Sequence, residues 1–242
     1  MDRLVSKLTI TSVLAALAIS GLAFAEPSKP PVPEDEMVSR YMDAAHQQQT
    51  VLRGGSMEVD IDSTVPKMKK QGKLHALRNI SKLGRITYHM LGFTGDNFVK
   101  TEVISRFLSE EVKAAQEGTN LSITPDNYKF KYKGMENIDG RDTYVLHVTP
   151  RQKKANLFKG ELWLDAQTYM PVRESGSLVK TPSIFLKKVQ FVHMYEIQNG
   201  VAVPQRWEGK ADVRFVGPVE MNINFLRFSK EADADAASSD QQ

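Results

Sequence analysis

The amino-acid sequence predicts an α+β domain that is mainly β, with one large, curved antiparallel sheet and helices that cover its concave apolar face. Most of the chain alternates apolar and polar residues with the period of two that a half-buried strand requires. Only two segments show the spacing of an amphipathic helix. Tight-turn pairs, Asp139-Gly140 and Asn199-Gly200, separate several of the alternating runs. Strands joined by short turns are antiparallel, and two helices can cover one face of such a sheet.

Residues 1–25 are predicted to be a secretory signal peptide. A short basic region precedes an uncharged, mostly apolar run from Leu8 to Leu22, and Ala23-Phe24-Ala25 offers the small residues that signal peptidase requires. Cleavage after Ala25 leaves Glu26 as the first mature residue and exports the protein. An uncleaved membrane anchor is the alternative, but a run of about 15 residues is short for a bilayer that needs about 20.

The sequence divides the rest of the chain into a linker, a domain and a tail. Residues 26–36 are predicted to form an extended Pro-rich linker, because each proline fixes φ and removes a backbone donor. Residues 37–229 form the folded domain, and the acidic segment 230–242 lacks large apolar residues and is predicted to be disordered. The chain has no cysteine, which excludes disulfides and a thiol nucleophile, and its net charge of +3 does not call for a nucleic-acid partner.

The helices are predicted at 37–52, ended by Gly54-Gly55, and at 100–117, closed by Gly118. The alternating runs predict nine or ten strands. Their approximate ranges are 57–62, 73–80, 85–91, 128–133, 143–148, 158–165, 170–174, 187–198, 201–210 and 221–228.

The stretch from Phe158 to Gly176 could be either a catalytic strand or a hairpin. In a strand, Glu161 and Asp165 share a face but lie about 13 Å apart at about 3.3 Å per residue. A glycosidase needs two carboxyl groups about 5–9.5 Å apart, so these two cannot act on one bond. Asp165 stands where a strand ends in a turn, a position that aspartate favours. The sequence therefore predicts a hairpin.

No motif predicts an enzyme, a metal site or a cofactor. The histidines are dispersed and none has a second ligand at zinc spacing; they are His46, His75, His89, His147 and His193. The chain contains no nucleophile elbow, phosphate-binding loop or Gly-rich dinucleotide turn. A hydrolase whose catalytic triad is assembled from unmarked residues stays an alternative.

Basic residues recur in the second half of the chain. They are Lys129, Lys131, Lys133, Arg151, Lys153, Lys154, Lys159, Lys187 and Lys188. Brought together by neighbouring strands, they would form a cationic patch that meets lipid headgroups or an acidic partner. Solvated strand faces whose lysines resist aggregation are the other interpretation.

Three segments resemble the periplasmic lipoprotein carriers of the LolA-like superfamily, of the outer-membrane lipoprotein-sorting type, and their RseB-like relatives. They are FKYKGMENIDGRDTYVLHVTP at 130–150, FKGELWLDAQTYMPVRESG at 158–176 and VHMYEIQNGVAVPQRWEG at 192–209. The order of an aromatic strand, a Leu-Trp-Leu-Asp hairpin and an Asn-Gly turn before Val-Pro is similar to that family over residues 128–228.

The resemblance implies a half-barrel whose apolar hollow holds lipid or lipoprotein acyl chains in the periplasm, without catalysis. The second helix would then act as a lid, and Arg85 is the candidate for an arginine that holds the lid shut. The ligand-binding residues would be Ile61, Tyr88, Met90, Phe107, Leu108, Phe130, Tyr132, Phe191 and Phe225. The alternative is an envelope stress sensor or scaffold that binds another protein, such as an envelope membrane protein, through the sheet edge or the basic patch. Its hollow would be filled by its own side chains.

Overall fold

The computed structural model describes residues 31–116 and 121–230. The predicted signal peptide, the first residues of the predicted linker and nearly all of the predicted acidic tail lie outside these ranges. Within them the chain forms ten strands and two α-helices, as the sequence predicts. The elements are α1 (Glu34–Leu52), β1 (Gly55–Val65), β2 (Lys70–Ile80), β3 (Ile86–Gly95), a π-helical segment (Val99–Ile104), α2 (Ser105–Gln116), β4 (Tyr128–Ile138), β5 (Arg141–Pro150), β6 (Phe158–Asp165), β7 (Pro171–Leu178), β8 (Leu186–Gln198), β9 (Val201–Val213) and β10 (Gly217–Lys230).

All ten strands belong to one antiparallel sheet with the order β3-β2-β1-β10-β9-β8-β7-β6-β5-β4. The pairing of β1 with β10 joins an N-terminal meander of three strands to a C-terminal meander of seven. Strands β3 and β4 are the two edges and do not pair with each other, so the sheet is open. The predicted single curved sheet with helices on its concave face is confirmed.

Both helices differ from their predicted bounds in detail. Helix α1 begins at Glu34, three residues before the predicted start, and its first turn holds three acidic residues that favour the positive end of the helix dipole. The Glu34 carboxylate accepts a hydrogen bond of 2.8 Å from the backbone N–H of Tyr132 on the edge strand β4. The second predicted helix opens with the π-helical segment before α2 begins.

A row of directly paired, mostly small residues crosses the concave face of all ten strands. From β4 to β3 the row is Phe130, Val148, Gly160, Gly176, Phe191, Gly209, Met221, Ser63, Gly72 and Gly95. A Cβ atom at Gly160 would overlap the carbonyl oxygen of Ser175, and one at Gly209 would overlap the Trp207 ring. Glycine at these positions therefore permits the close approach that a strongly bent sheet requires.

The concave face carries two apolar clusters rather than one core. The first packs α1 against strands β4 to β9 and includes Met37, Tyr41, Tyr128, Leu146 and Leu162. The second packs the π-helical segment and α2 against β1, β2 and β10 and includes Val59, Ile61, Leu74, Ile104 and Leu108. Each helical segment thus covers its own half of the sheet.

The stretch 158–176 is the hairpin β6–β7, as predicted. Asp165 Oδ1 accepts hydrogen bonds from the backbone N–H groups of Gln167 and Thr168 and from the Thr168 hydroxyl, at 2.7–3.1 Å. Its other oxygen lies 3.4 Å from Arg141. Asp165 therefore holds a turn.

We expect Gly160→Ala to lower the free energy of unfolding by about 1–3 kcal/mol, because the added methyl group has no space beside the Ser175 carbonyl. The matched control is Gly92→Ala on the edge strand β3, where an added Cβ meets no atom within 4 Å. Urea denaturation of both variants measures the difference. Equal losses would show that the bend does not depend on glycine at 160.

Candidate functional site

An open cavity of about 560 Å³ lies between α1 and the concave face of the sheet, and we call it the α1 cavity. Its apolar lining consists of Tyr41, Met42, Ala45, Leu121, Ile123, Tyr128, Phe158 and Phe191. Its polar lining consists of His46, Gln48, Gln49, Ser122, Thr124, Asn156 and Glu174. This mixture suits a ligand that has both an apolar and a polar part.

Three aromatic rings form one wall of the α1 cavity. Phe158 lies between Tyr128 and Phe191, with ring centroids 5.7 Å and 4.9 Å away, and meets Phe191 edge to face. A Cβ atom at Gly176 would lie 2.6 Å from the Phe158 ring. The glycine therefore makes room for this ring, so the bend of the sheet also shapes the aromatic wall.

Polar side chains interrupt the apolar face beside this wall. Glu174 on β7 and His193 on β8 are directly paired across the two strands and so share the concave face. The Tyr195 hydroxyl donates to Glu174 Oε1 at 3.1 Å and lies 2.8 Å from His193 Nδ1. Because the Tyr195 hydroxyl donates its hydrogen to Glu174, the Tyr195 oxygen accepts the hydrogen bond from the Nδ1–H group of His193. Among the described residues His193 Nε2 is buried without a hydrogen-bond partner.

Burial sets the protonation states of this group. It raises the pKa of Glu174 to about 7, against a smaller opposing effect of the Tyr195 hydrogen bond. Burial, followed by the charge of Arg78, lowers the pKa of His193 to about 3. His193 is therefore neutral at physiological pH, and Glu174 changes its charge near neutrality. A carboxyl group in this state can donate or accept a hydrogen bond.

A buried arginine fastens α2 to the sheet. Arg78 on β2 is inward-facing, since it continues the alternation of Leu74 and Ala76, and its side chain is 11% exposed. Its guanidinium donates to Glu111 Oε1 on α2 at 2.8 Å, and the Tyr88 hydroxyl donates to Glu111 Oε2 at 2.6 Å. The arginine that holds this helix is Arg78, whereas the predicted candidate Arg85 is exposed in the β2–β3 turn. The prediction of Arg85 is wrong because the register of β2 turns Arg78 inward.

Seven of the residues predicted to bind a ligand lie on the concave face of the sheet and two lie on α2, and the nine do not form one cluster. Phe130, Tyr132 and Phe191 belong to the α1 half, where Phe191 lines the α1 cavity. The α2 half holds Ile61, Tyr88, Phe107, Leu108 and Phe225. Met90, paired with the buried Ala76, faces inward on the edge strand β3 but is 44% exposed. The structure thus places three of the nine in the α1 half, and of these Phe191 lines the cavity.

Sequence reasoning missed the polar residues of the site. Arg78 and Glu174 stand at inward positions, so the period of two that identified the strands also places them on the concave face. The sequence shows no second ligand near His193 at zinc spacing, yet one of its ring nitrogens is buried without a partner among the described residues. No motif or spacing in the sequence singles out Tyr195.

Residues 31–116 and 121–230 contain no group of three or more His, Cys, Asp or Glu side chains placed to hold a metal ion. Over the same ranges, no helix has the length and apolar character needed to cross a membrane.

Comparison with known proteins gives matches of low identity. A protein-family model whose description reads "Uncharacterized protein" matches residues 117–234. No curated protein matches the chain. Among solved structures, a LolA superfamily protein from Nitrosomonas europaea is 13% identical with a TM-score of 0.38, over 83% of this chain and 94% of that one.

Two further solved structures match over similar lengths. A domain from Vibrio parahaemolyticus named for outer membrane lipoprotein sorting is 12% identical with a TM-score of 0.38, over 82% of this chain and 98% of that one. The MucA/MucB complex of Pseudomonas aeruginosa matches at 12% identity with a TM-score of 0.26, over 79% of this chain and 99% of that one. These names include the superfamily that the sequence resembles. Identities this low leave function to be argued from the chain's own residues.

We expect Glu174→Gln to stabilise the protein by an amount that grows with pH. The folded wild type keeps the Glu174 proton up to a pKa of about 7, whereas the unfolded chain loses it near 4.5, so wild-type stability falls as pH rises between these values. The full effect is up to about 3 kcal/mol, and glutamine escapes it because it does not ionise. His193 is present in both proteins, so its contribution cancels in the difference.

Urea denaturation at pH 5 and at pH 8 measures this difference. The matched control is Glu161→Gln on β6, whose side chain faces the opposite side of the sheet, and we expect its effect to be small and equal at both pH values. A stabilisation by Glu174→Gln that does not increase with pH would contradict the burial of a proton on Glu174.

We expect Glu111→Ala to loosen α2, because it leaves the Arg78 guanidinium buried without its carboxylate. Hydrogen exchange should show faster exchange of the α2 amides, together with a loss of about 1–3 kcal/mol in stability. Glu110→Ala changes the neighbouring, exposed residue and is the matched control. Unchanged protection of α2 in Glu111→Ala would show that the ion pair does not hold this helix.

Proposed function

We propose that this protein is an exported, non-enzymatic binding protein of the periplasm that carries lipid or lipoprotein acyl chains. The observation that carries the proposal is the α1 cavity. Its volume of about 560 Å³ lies within the range of about 300–1,000 Å³ that small-ligand sites occupy. Its aromatic wall offers apolar contact, while Glu174 offers a polar contact inside the same space.

Burial of methylene groups supplies the affinity in this proposal. Each CH₂ transferred from water to the aromatic wall contributes about 0.8 kcal/mol. The acyl chain of the ligand would lie against Phe191, with Phe130 and Tyr132 in the same apolar cluster. A polar group of the ligand would meet Glu174, whose protonated form donates to an ester or amide carbonyl and whose ionised form accepts from a hydroxyl.

A longer acyl chain would use the α2 half of the concave face. Its predicted residues are Ile61, Tyr88, Met90 and Phe225 on the sheet and Phe107 and Leu108 on α2, and all of them except Met90 pack in one cluster. Separation of Arg78 from Glu111 would release α2 and uncover the residues on the sheet. This places α2 as the lid and the ion pair as its fastening, in line with the lid that the family resemblance implies.

The first test is the mass of the exported protein, purified without detergent and checked to begin at Glu26. Native and denatured masses are compared, and any excess is extracted into organic solvent. A discrete excess mass of extractable amphiphile supports the carrier. A ligand-free mass that persists after incubation with membrane lipids contradicts it.

We expect Phe191→Asp to lower loading with a fluorescent long-chain fatty acid by at least about tenfold, because a carboxylate replaces the ring at the cavity wall. The control is Leu83→Asp, which places the same charge on a side chain that is 78% exposed in the β2–β3 turn. Fluorescence titration of the two variants measures the loss. Equal affinity of Phe191→Asp and wild type would exclude binding in the α1 cavity.

A sensor or scaffold that binds another envelope protein is the second candidate. The observation that favours it is the unpaired edge strand β3, which exposes Met90 and Leu91 at 44% and 51%. Such an edge offers backbone groups to an added strand of a partner. A ligand-free native mass together with capture of an envelope protein that is lost on Leu91→Pro would favour this candidate over the carrier.

A further inference from the structure

Four loops come together at one end of the sheet, because the strands alternate in direction. They are residues 66–69, 151–157, 179–185 and 214–216, which join β1 to β2, β5 to β6, β7 to β8 and β9 to β10. Contacts link them: the Arg214 N–H donates to the Phe185 carbonyl at 2.8 Å, and the Asn156 N–H donates to that of Lys180 at 3.3 Å. A Cβ atom at Gly217 would lie 3.0 Å from Lys67. We call this surface the loop end.

Large apolar side chains project from the loop end into solvent. Phe215 is 90% exposed, Ile184 80%, Phe185 53% and Met68 39%. Phe215 also has a φ of +67°, a region that bulky residues rarely adopt. Neither core cluster contains any of the four, so packing of the fold does not account for them.

The loop end is also basic. Its four loops contain seven cationic residues, Lys67, Lys69, Arg151, Lys153, Lys154, Lys180 and Arg214, and no aspartate or glutamate. The segments 96–98 and 121–127, which run to the same end, add one aspartate each. All seven side chains belong to exposed residues. The turns at the opposite end of the sheet, at 53–54, 81–85, 139–140, 166–170 and 199–200, contain three cations and one acid. Positive charge and exposed apolar side chains therefore coincide at one end.

We propose that the loop end docks on the surface of a bilayer that contains anionic phospholipids. Lysine and arginine are attracted to the negative surface potential, while aromatic and aliphatic tips enter the boundary between headgroups and acyl chains. The four apolar side chains stand on three separate loops. A fluid bilayer accommodates separate tips, whereas a protein partner would need a matching pocket for each one. The lipid surface is therefore the partner that fits both features.

The α1 cavity is linked to the loop end. Asn156, which lines the cavity, belongs to the β5–β6 loop, and Thr124 lies in the segment that enters β4 at the same end. Docking would therefore bring this side of the cavity close to the bilayer. The docking itself does not require a ligand and can be tested apart from the proposed function.

Flotation with phospholipid vesicles tests the proposal. The exported full-length product, checked by mass to begin at Glu26, is mixed with vesicles of phosphatidylcholine alone or with phosphatidylglycerol. We expect flotation only with the anionic vesicles and weaker flotation at high salt. Phe215→Ser combined with Ile184→Ser should lower the bound fraction about tenfold, and Lys153→Glu combined with Lys154→Glu should do the same.

The controls are Leu83→Ser and Arg85→Glu in the exposed turn at the opposite end, which should bind like the wild type. All the substituted residues are exposed, and circular dichroism checks that each variant is folded. Absence of flotation, or equal loss in the controls, would overturn the proposal. A loss with the lysine variant but none with the Phe215 and Ile184 variant would also overturn it, because the protein would then adsorb to the anionic surface by charge alone, without insertion of the apolar side chains.

Discussion

The fold depends on bending one open sheet of ten strands around its own concave face. Bending brings inward-facing side chains together, so most residues in the row that crosses the ten strands must have small side chains. Five glycines occupy that row, and at Gly160 and Gly209 a neighbouring carbonyl group or indole ring fills the space of a side chain. The strands themselves therefore set the curvature. The helices then cover a surface that is already concave.

The concave face carries two apolar clusters, and polar groups lie beside them. Glu174 and His193 stand in a register row that also holds Leu162 and Trp207, so polar residues occupy positions where apolar ones would fit. Burial of an ionisable group costs free energy, and the shifted pKa values of Glu174 and His193 record that cost. If stability alone determined these positions, apolar residues would occupy them in place of Glu174 and His193. Glu174 lines the α1 cavity and His193 is its direct neighbour across β7 and β8, a position that is consistent with ligand binding instead.

Local patterns were sufficient to predict most strands. The range of β6 was predicted to the residue, because alternation and the Asp165 turn are both properties of neighbouring residues. The start of α1 was predicted three residues too late, because proline and acidic residues are typical of a linker. Glu34 in fact forms a hydrogen bond with the edge strand β4, a contact with a distant part of the chain that leaves no local pattern. To choose Arg78 over Arg85, one has to know which residues of β2 face inward. Alternation with Leu74 and Ala76 places Arg78 on that face. The second cluster unites β1 and β2 with β10 through the β1–β10 pairing, which joins distant residues and leaves no local signal.

The two helices are attached by different interactions, and this decides which of them can move. Helix α1 buries Met37, Val38, Tyr41 and Ala44 and is tied at both ends, since Glu34 bonds to β4 and Gln48 to the Ala202 carbonyl on β9. Helix α2 fully buries only Leu108 and depends on Glu111 for its bond to Arg78. An element with few buried contacts opens at a lower free energy than one with many. Helix α1 is therefore the fixed wall of the cavity, and any enlargement of the apolar surface has to come from α2, whose departure would expose Ile61, Tyr88 and Phe225 while leaving α1 in place.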